Sequence, residues 1–130
     1  MPKFGKRSRY NLLSCDPRLV KVFDEVVKEF DCSVLCGHRG QENQDQAFDE
    51  GRSQLQYPKS KHNSMPSMAV DVVPYPVDWE DRERFYYFAG YVKGVAAGMG
   101  IKLRFGGDWN NDTQVKDNGF DDLPHWEIIE

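Results

Sequence analysis

The chain has no apolar run long enough to cross a bilayer. Its mean hydropathy is −0.70, whereas a spanning helix needs about 20 successive apolar residues. It also lacks a basic excess: 17 Lys and Arg stand against 21 Asp and Glu, for a net charge of −4 and a pI near 5.4. That balance removes any global attraction for nucleic acid or an anionic membrane. Cysteine is scarce and odd in number, with Cys15, Cys32 and Cys36 only, so no closed disulfide framework is available and a reducing compartment of synthesis is expected. Neither a Cys-x-x-Cys pair nor a His-Glu-x-x-His helix is present, which excludes zinc knuckles and the common helical zinc signature. Met1–Arg9 carries Lys3, Lys6, Arg7 and Arg9 but leads into no apolar core with a small-residue cleavage site. It reads as a basic N-terminal arm and not as a secretory signal.

What remains is an ordinary soluble composition, 39% hydrophobic, 29% charged and 13% aromatic over 130 residues. That is room for a single domain over residues 1–130, one that buries roughly two-thirds of its unfolded surface. Asp16-Pro17 reads as a helix cap and first turn, followed by apolar residues from Leu19 to Phe30 at helical spacing. Cys32–Cys36 is a short strand, and Gln41–Glu50 a polar helix stopped by Gly51. Residues 52–67, with two prolines, four serines and almost no apolar residue, form a long surface loop, and such loops are commonly functional. Ala69–Val73 reads as a buried strand, Glu80–Met99 as a second long helix capped by Gly100, and Ile101–Phe105 as a strand. After a Gly, Asn and Asp-rich loop, His125–Ile129 is the last strand. This order predicts an α+β domain with a mainly antiparallel sheet packed against helices.

Asp71 is the most informative residue. It interrupts the small, β-branched run Ala69-Val70-Asp71-Val72-Val73, where an isolated carboxylate costs several kcal/mol unless neutralised, ion-paired or metal-bound. A buried pair with Lys or Arg answers that cost as well as a metal does. The chain has three histidines, His38, His62 and His125. His62 precedes the Asp71 strand and His125 opens the terminal one; two imidazoles and a carboxylate make an open tetrahedral zinc site. Taken singly, each histidine is more often a surface or satisfied residue than a ligand. Such a site needs a base, and Asp122, three residues before His125, is the nearest candidate, though on its own it is an ordinary loop aspartate beside Asp121.

Ser60-Lys61-His62, Pro66-Ser67-Met68-Ala69-Val70-Asp71 and Asp122-Leu123-Pro124-His125-Trp126-Glu127 together resemble the signature of the VanY-type D-Ala-D-Ala carboxypeptidase family. Within it, the resemblance is greatest to phage endolysins that act as L-alanyl-D-glutamate peptidases. It extends through Gly37-His38-Arg39, Gln44, Gly51-Arg52-Ser53 and Gly106-Gly107-Asp108-Trp109, from about residue 33 onward, and more loosely over the first long helix. The resemblance implies the fold shared with the Hedgehog signalling domain, and a zinc peptidase that cuts the stem peptide of peptidoglycan. It implies His62, Asp71 and His125 as zinc ligands, Asp122 as general base, Arg39 as the oxyanion partner and Ser60 beside the first ligand. Gln44, Trp109 and Trp126 are carried as substrate-binding candidates, although aromatic residues in a small domain more often serve the core. The nine-residue step from His62 to Asp71 is longer than in many relatives and bears on substrate preference. Other expectations are a monomer acting on bacterial peptidoglycan, with no nucleic-acid partner and no membrane insertion. Synthesis would be in the host cytoplasm without a signal peptide, with access to the wall through a holin-type route. The alternatives are a D-Ala-D-Ala carboxypeptidase or dipeptidase, and a non-catalytic zinc-containing wall-binding module. His38 reads as a rim residue, and Asp108, Asp112, Asp117 and Asp121 as a solvated loop in preference to a calcium site, their spacing not being that of an EF-hand.

Overall fold

Helices α1 (Lys6–Leu13), α2 (Pro17–Glu29), α3 (Gln41–Asp49) and α4 (Arg82–Gly98) alternate with strands β1 (Cys32–Cys36), β2 (Ala69–Pro74), β3 (Leu103–Phe105) and β4 (His125–Ile128) in the computed structural model of the chain. Residues 2–116 and 120–130 are described. The strands form one antiparallel sheet in the order β1-β2-β4-β3, as the α+β reading anticipates.

The helices form where local chemistry starts and stops them. Asp16 caps α2 by accepting a hydrogen bond from the Arg18 N–H, with Pro17 in the first turn, and Asp81 caps α4 through the Arg84 N–H. Gly100 follows α4 with φ +72°, a conformation that favours glycine. Leu19, Val22, Phe23 and Val26 of α2 and Phe85, Phe88 and Val92 of α4 are buried in the core. They share it with Val70, Val72, Leu103, Phe105, Trp126 and Ile128 of the sheet. Each large apolar side chain so buried contributes ~1.5–3 kcal/mol. Trp126 is fully buried, stacked on Phe105 at 4.9 Å and edge-on to Phe23 at 6.3 Å.

Strand alternation then decides the other face. With Val70, Val72 and Trp126 turned to the core, Asp71, His125 and Glu127 point away from it. Ala69 and Val73, two places either side of Asp71, are fully buried like Val70 and Val72, so the strand is enclosed on both faces and the polar row sits among buried neighbours.

One correction concerns the N-terminus. The expected basic arm is in part a helix, since α1 begins at Lys6. Its Leu12 is fully buried, and Arg9 pairs with Asp24 at 2.6 Å. Strand β1 lies at the sheet edge, and α1 closes that edge: Ser8 Oγ accepts the Val34 N–H at 3.0 Å and Asn11 Nδ2 donates to the Val34 carbonyl at 2.9 Å. The basic residues conceal this helix in the sequence because it presents too few apolar positions to show a periodic stripe. No helix among the described residues is long and apolar enough to cross a membrane.

Candidate metal centre and groove

The sheet register sets the site. Asp71 in β2 lies opposite His125 in β4 on one side and Cys36 in β1 on the other. A bulge between Val34 and Cys36 brings Cys36, not Leu35, into this row. His62 arrives from the long loop on a 3-10 turn, Lys61–Asn63. Ser60 caps that turn by accepting the His62 N–H at 3.2 Å, while Asn63 Oδ1 accepts the Ser60 N–H at 3.0 Å. The segment expected to be plain loop thus has a built end where the ligand candidate sits.

Two imidazoles converge on one carboxylate oxygen. Asp71 Oδ1 lies 3.3 Å from His62 Nε2 and 3.6 Å from His125 Nδ1, with the two imidazole centroids 5.2 Å apart. Yet Oδ1 is buried and has no aligned hydrogen-bond partner. Each imidazole is oriented from behind: His62 Nδ1 meets the Gly37 carbonyl at 2.8 Å, and His125 Nε2 meets Glu127 Oε1 at 2.8 Å. In the neutral tautomers these contacts select, His62 Nε2 and His125 Nδ1 are the lone-pair nitrogens facing Asp71. Ligands about 2.0 Å from a tetrahedral ion lie ~3.3 Å from one another, so the donor spacing and the unpartnered buried oxygen both fit a small divalent cation. Asp71, Asp122 and His125 also have ligand atoms within 4.8 Å of one another, as do Cys36, His62 and Asp71.

The electrostatics agree with a cation-seeking site. Burial would raise the Asp71 carboxyl, but the charge of His62 and the polar contacts of both imidazoles hold it well below the usual carboxylate range. Burial would lower His62, but Asp71 outweighs it and lifts the imidazole to about 10. Without a metal the site therefore retains a proton between carboxylate and imidazole, in the position a metal cation would occupy. For His125, burial acts downward and is overcome by Asp71 and Glu127, giving a net rise. Asp122 is raised to about 6 by burial and by the neighbouring Asp71 charge. Its Oδ2 stands 3.9 Å from His125 Nδ1. The turn holding it is fixed by Asp122 N–H to the Gly106 carbonyl (2.9 Å), His125 N–H to the Asp122 carbonyl (3.0 Å) and Gly106 N–H to the His125 carbonyl (2.8 Å).

Arg39 reaches Asp71 Oδ2 with Nη2 at 3.4 Å and Gln44 Oε1 with Nη1 at 3.0 Å. It lines both cavities that flank the site. Ser60 and Trp109 line the second cavity, and the Trp109 ring lies 5.1 Å from that of His125.

Two other substrate-binding candidates are placed elsewhere. Gln44 is fully buried, with Nε2 donating to Ser53 Oγ at 3.0 Å and the Leu55 carbonyl at 2.6 Å. It ties Arg39 to the following loop and faces neither cavity, because all its hydrogen-bonding capacity is turned inward. Trp126 belongs to the core on the opposite face of β4 from His125. His38 is on the rim of the first cavity, its N–H donating to Ser14 Oγ at 2.8 Å.

The acidic loop is more structured than expected. Asp108 is buried and accepts the Asp112 and Thr113 N–H groups at 3.1 and 2.9 Å. Asp121 pairs with Arg82 at 2.5 Å. Asp117 lies outside the described residues.

Sequence reasoning missed Glu127 and Cys36. Glu127 accepts from His125 while its other oxygen meets Arg104 Nη1 at 3.1 Å and Lys61 Nζ at 3.3 Å. The signal was a charged residue two places beyond a ligand candidate in a strand, hence on the same face. From the sequence, Cys36 reads only as the end of a short strand. Burial acts to raise its thiol, but its hydrogen bond with His62 and the charge of that ring bring the net shift downward. Cys15 and Cys32, by contrast, are pushed up to about 12 by burial.

A four-stranded antiparallel sheet with helices packed on one face and two imidazoles, a carboxylate and a second aspartate on the other defines the family. The chain belongs to the phage L-alanyl-D-glutamate peptidases, whose family model matches residues 1–129. The match includes α1, beyond the span of the sequence motifs.

Among individual proteins, it is 34% identical over 136 residues to the L-alanyl-D-glutamate peptidase of Escherichia phage T5, covering 98% of each chain. Its fold is similar to that of the L-Ala D-Glu endopeptidase ChiX of Serratia marcescens, with a TM-score of 0.74 and 28% identity over 98% of this chain and 91% of that one.

Proposed function

We propose that the protein is a zinc-dependent peptidoglycan peptidase that hydrolyses the amide between L-alanine and D-glutamate in the stem peptide. The observation that carries this reading is the buried, unpartnered Asp71 Oδ1 faced by His62 Nε2 and His125 Nδ1. Two imidazoles and one carboxylate suit zinc in an open catalytic geometry.

His62, Asp71 and His125 would hold the ion, with the Gly37 carbonyl and Glu127 keeping the imidazoles in the ligating tautomer. When bound, zinc supplies Lewis acidity, lowering the pKa of water toward neutrality and polarising the scissile carbonyl. Asp122 accepts a proton from the attacking water and returns it to the departing amine of D-glutamate. Its upward-shifted pKa in the metal-free protein suits a group that both takes and gives a proton. Arg39, held by Gln44 and Asp71, places a fixed positive charge beside the developing oxyanion, worth a few kcal/mol. Ser60 and Trp109 line the groove for the peptide. A monomer released from the host cytoplasm to the wall by a holin-type route fits this activity.

Digestion of purified sacculi and identification of the new amino termini test the proposal. New D-glutamyl termini are expected. Released D-alanine would replace the reading with a carboxypeptidase, and binding without cleavage would replace it with a wall-binding module. Asp122 favours the enzyme, because binding alone requires no base.

A further inference from the structure

The groove is electrically lopsided. The two cavities, of about 710 and 660 Å³, share Arg39, Arg52, Phe120 and Asp122. In the first, Arg39, Arg52 and Arg82 are balanced by Asp71, Asp121 and Asp122, beside Trp79 and Leu35. The second contains His62 and His125, and there Arg39, Arg52, Lys59 and Lys61 face only Asp122 and Glu127.

Not all four cations are available to a ligand. Arg39 is engaged with Gln44 and Asp71, and Lys61 with Glu127 and the Ile128 carbonyl. Lys59 makes no side-chain hydrogen bond or ion pair among the described residues. Arg52 uses Nε on Glu50 at 2.8 Å, which leaves its Nη nitrogens uncommitted among the described residues. Both are set on fixed backbone. Gly51, at φ +77°, turns the chain at the end of α3, and the Arg52 and Ser53 N–H groups both donate to the Ala47 carbonyl, at 2.9 and 3.1 Å. Ser53 is further held by buried Gln44. The Lys59 N–H donates to the Gln56 carbonyl at 2.8 Å, immediately before the Ser60 cap of the His62 turn.

Resting on the peptidase reading, we infer that Arg52 and Lys59 form a carboxylate-recognition subsite for the leaving residue of the substrate. A D-glutamate linked onward through its γ-carboxyl keeps its α-carboxylate free, one carbon from the scissile nitrogen. An anion so close to the reacting bond must lie in the cavity that holds the two imidazoles, and that cavity carries the cationic surplus. A guanidinium with free Nη groups matches a carboxylate fork, and an ammonium adds charge without directional demand. The sequence between Gly51 and Ser60 thereby acquires a role in specificity in addition to delivering His62.

The test compares two synthetic muramyl tripeptides, one with the D-glutamate α-carboxylate and one with its α-carboxamide. The zinc-loaded protein is expected to favour the carboxylate by about tenfold or more in kcat/KM, the worth of one charge-assisted hydrogen bond. Arg52→Gln and Lys59→Gln should each shrink that ratio, mainly by raising KM for the carboxylate peptide. The double variant should bring the ratio near one, and Arg52→Lys should retain part of the preference. Lys59 has no side-chain partner among the described residues to lose on substitution, so its variant tests the subsite even if Arg52→Gln disturbs the α3 turn. Equal cleavage of both peptides by the wild type would overturn the subsite while leaving the peptidase intact; cleavage of neither would overturn both. An unchanged ratio with weakened binding to sacculi would assign the two cations to wall polymers and likewise overturn the subsite.

Discussion

Glu127 offers a demanding test, because it lines the second cavity yet is expected to act through its hydrogen bond with His125. Its Oε1 holds His125 Nε2 at 2.8 Å, and its Oε2 meets Arg104 at 3.1 Å and Lys61 at 3.3 Å. Glu127→Ala frees the imidazole to rotate and to choose the wrong tautomer. Loss of such a partner commonly lowers metal affinity ~10–100-fold. The buried charged hydrogen bond to His125 is worth ~1.5–3 kcal/mol. The Arg104 and Lys61 side chains are 33% and 40% exposed, so their pairs add together only ~1 kcal/mol. The expected loss of ~2–4 kcal/mol lowers Tm by ~6–15 °C for a chain of this length. Glu127→Gln keeps an acceptor for His125 and should fall at the low end of both ranges.

Glu127 also carries a pH signature. Burial would raise it, but the hydrogen bond and charge of His125, with Lys61, hold it near 2, below its ordinary 4.5. Its carboxylate therefore stabilises the fold above pH ~4.5, and that contribution is lost as pH falls toward 2; Glu127→Gln should flatten this acid limb. Competition with a chromogenic chelator and thermal melts with and without EDTA read both effects. If Glu127→Ala takes up zinc with wild-type affinity and melts at the wild-type temperature, the reasoning about His125 is refuted.

Asp122→Asn should retain zinc and lose ~10²–10⁴ in turnover; full activity would remove Asp122 from the mechanism. In EDTA, the folded-state pKa of Asp122 near 6 lies above its ordinary 3.8, so protonation favours the folded form and its benefit is lost as pH rises through 6. Melts between pH 4 and 7 should show the wild type losing ~1–2 kcal/mol relative to Asp122→Asn, after allowing for partial exposure of the carboxyl. At Gly106 an added Cβ would overlap the Asp122 carbonyl and stand 2.9 Å from His125 Cβ. Gly106→Ala is therefore expected to cost ~1–3 kcal/mol and to depress turnover by displacing the base. A variant with unchanged kcat and Tm would show that the turn yields.

The elements of the fold were written in local pattern. The apolar spacing from Leu19 to Phe30, the Asp16-Pro17 start, the β-branched run around Asp71 and the glycines at 51 and 100 are short-range signals, and the structure contains the helices and strands they announce. Helix α1 was not legible, since its purpose is to close the β1 edge through Ser8 and Asn11, a contact made across more than twenty residues. Trp126 was open to two readings for a related reason, and Gln44, expected at the substrate, is buried instead. An aromatic or amide side chain beside a motif has the same sequence whether it faces a groove or the core, and only the strand register and the inward hydrogen bonds chose the core.

Composition and local pattern supply the candidate ligands and base, because a carboxylate among valines and a few histidines are chemical facts that need no coordinates. Tertiary structure alone decided that these atoms meet. Opposition of Asp71 to His125 is a matter of strand register, arrival of His62 depends on a capped turn, and the β1 bulge adds Cys36. Those are consequences of which surfaces pack together, and packing is settled by the burial of the whole apolar set rather than by any local stretch of chain.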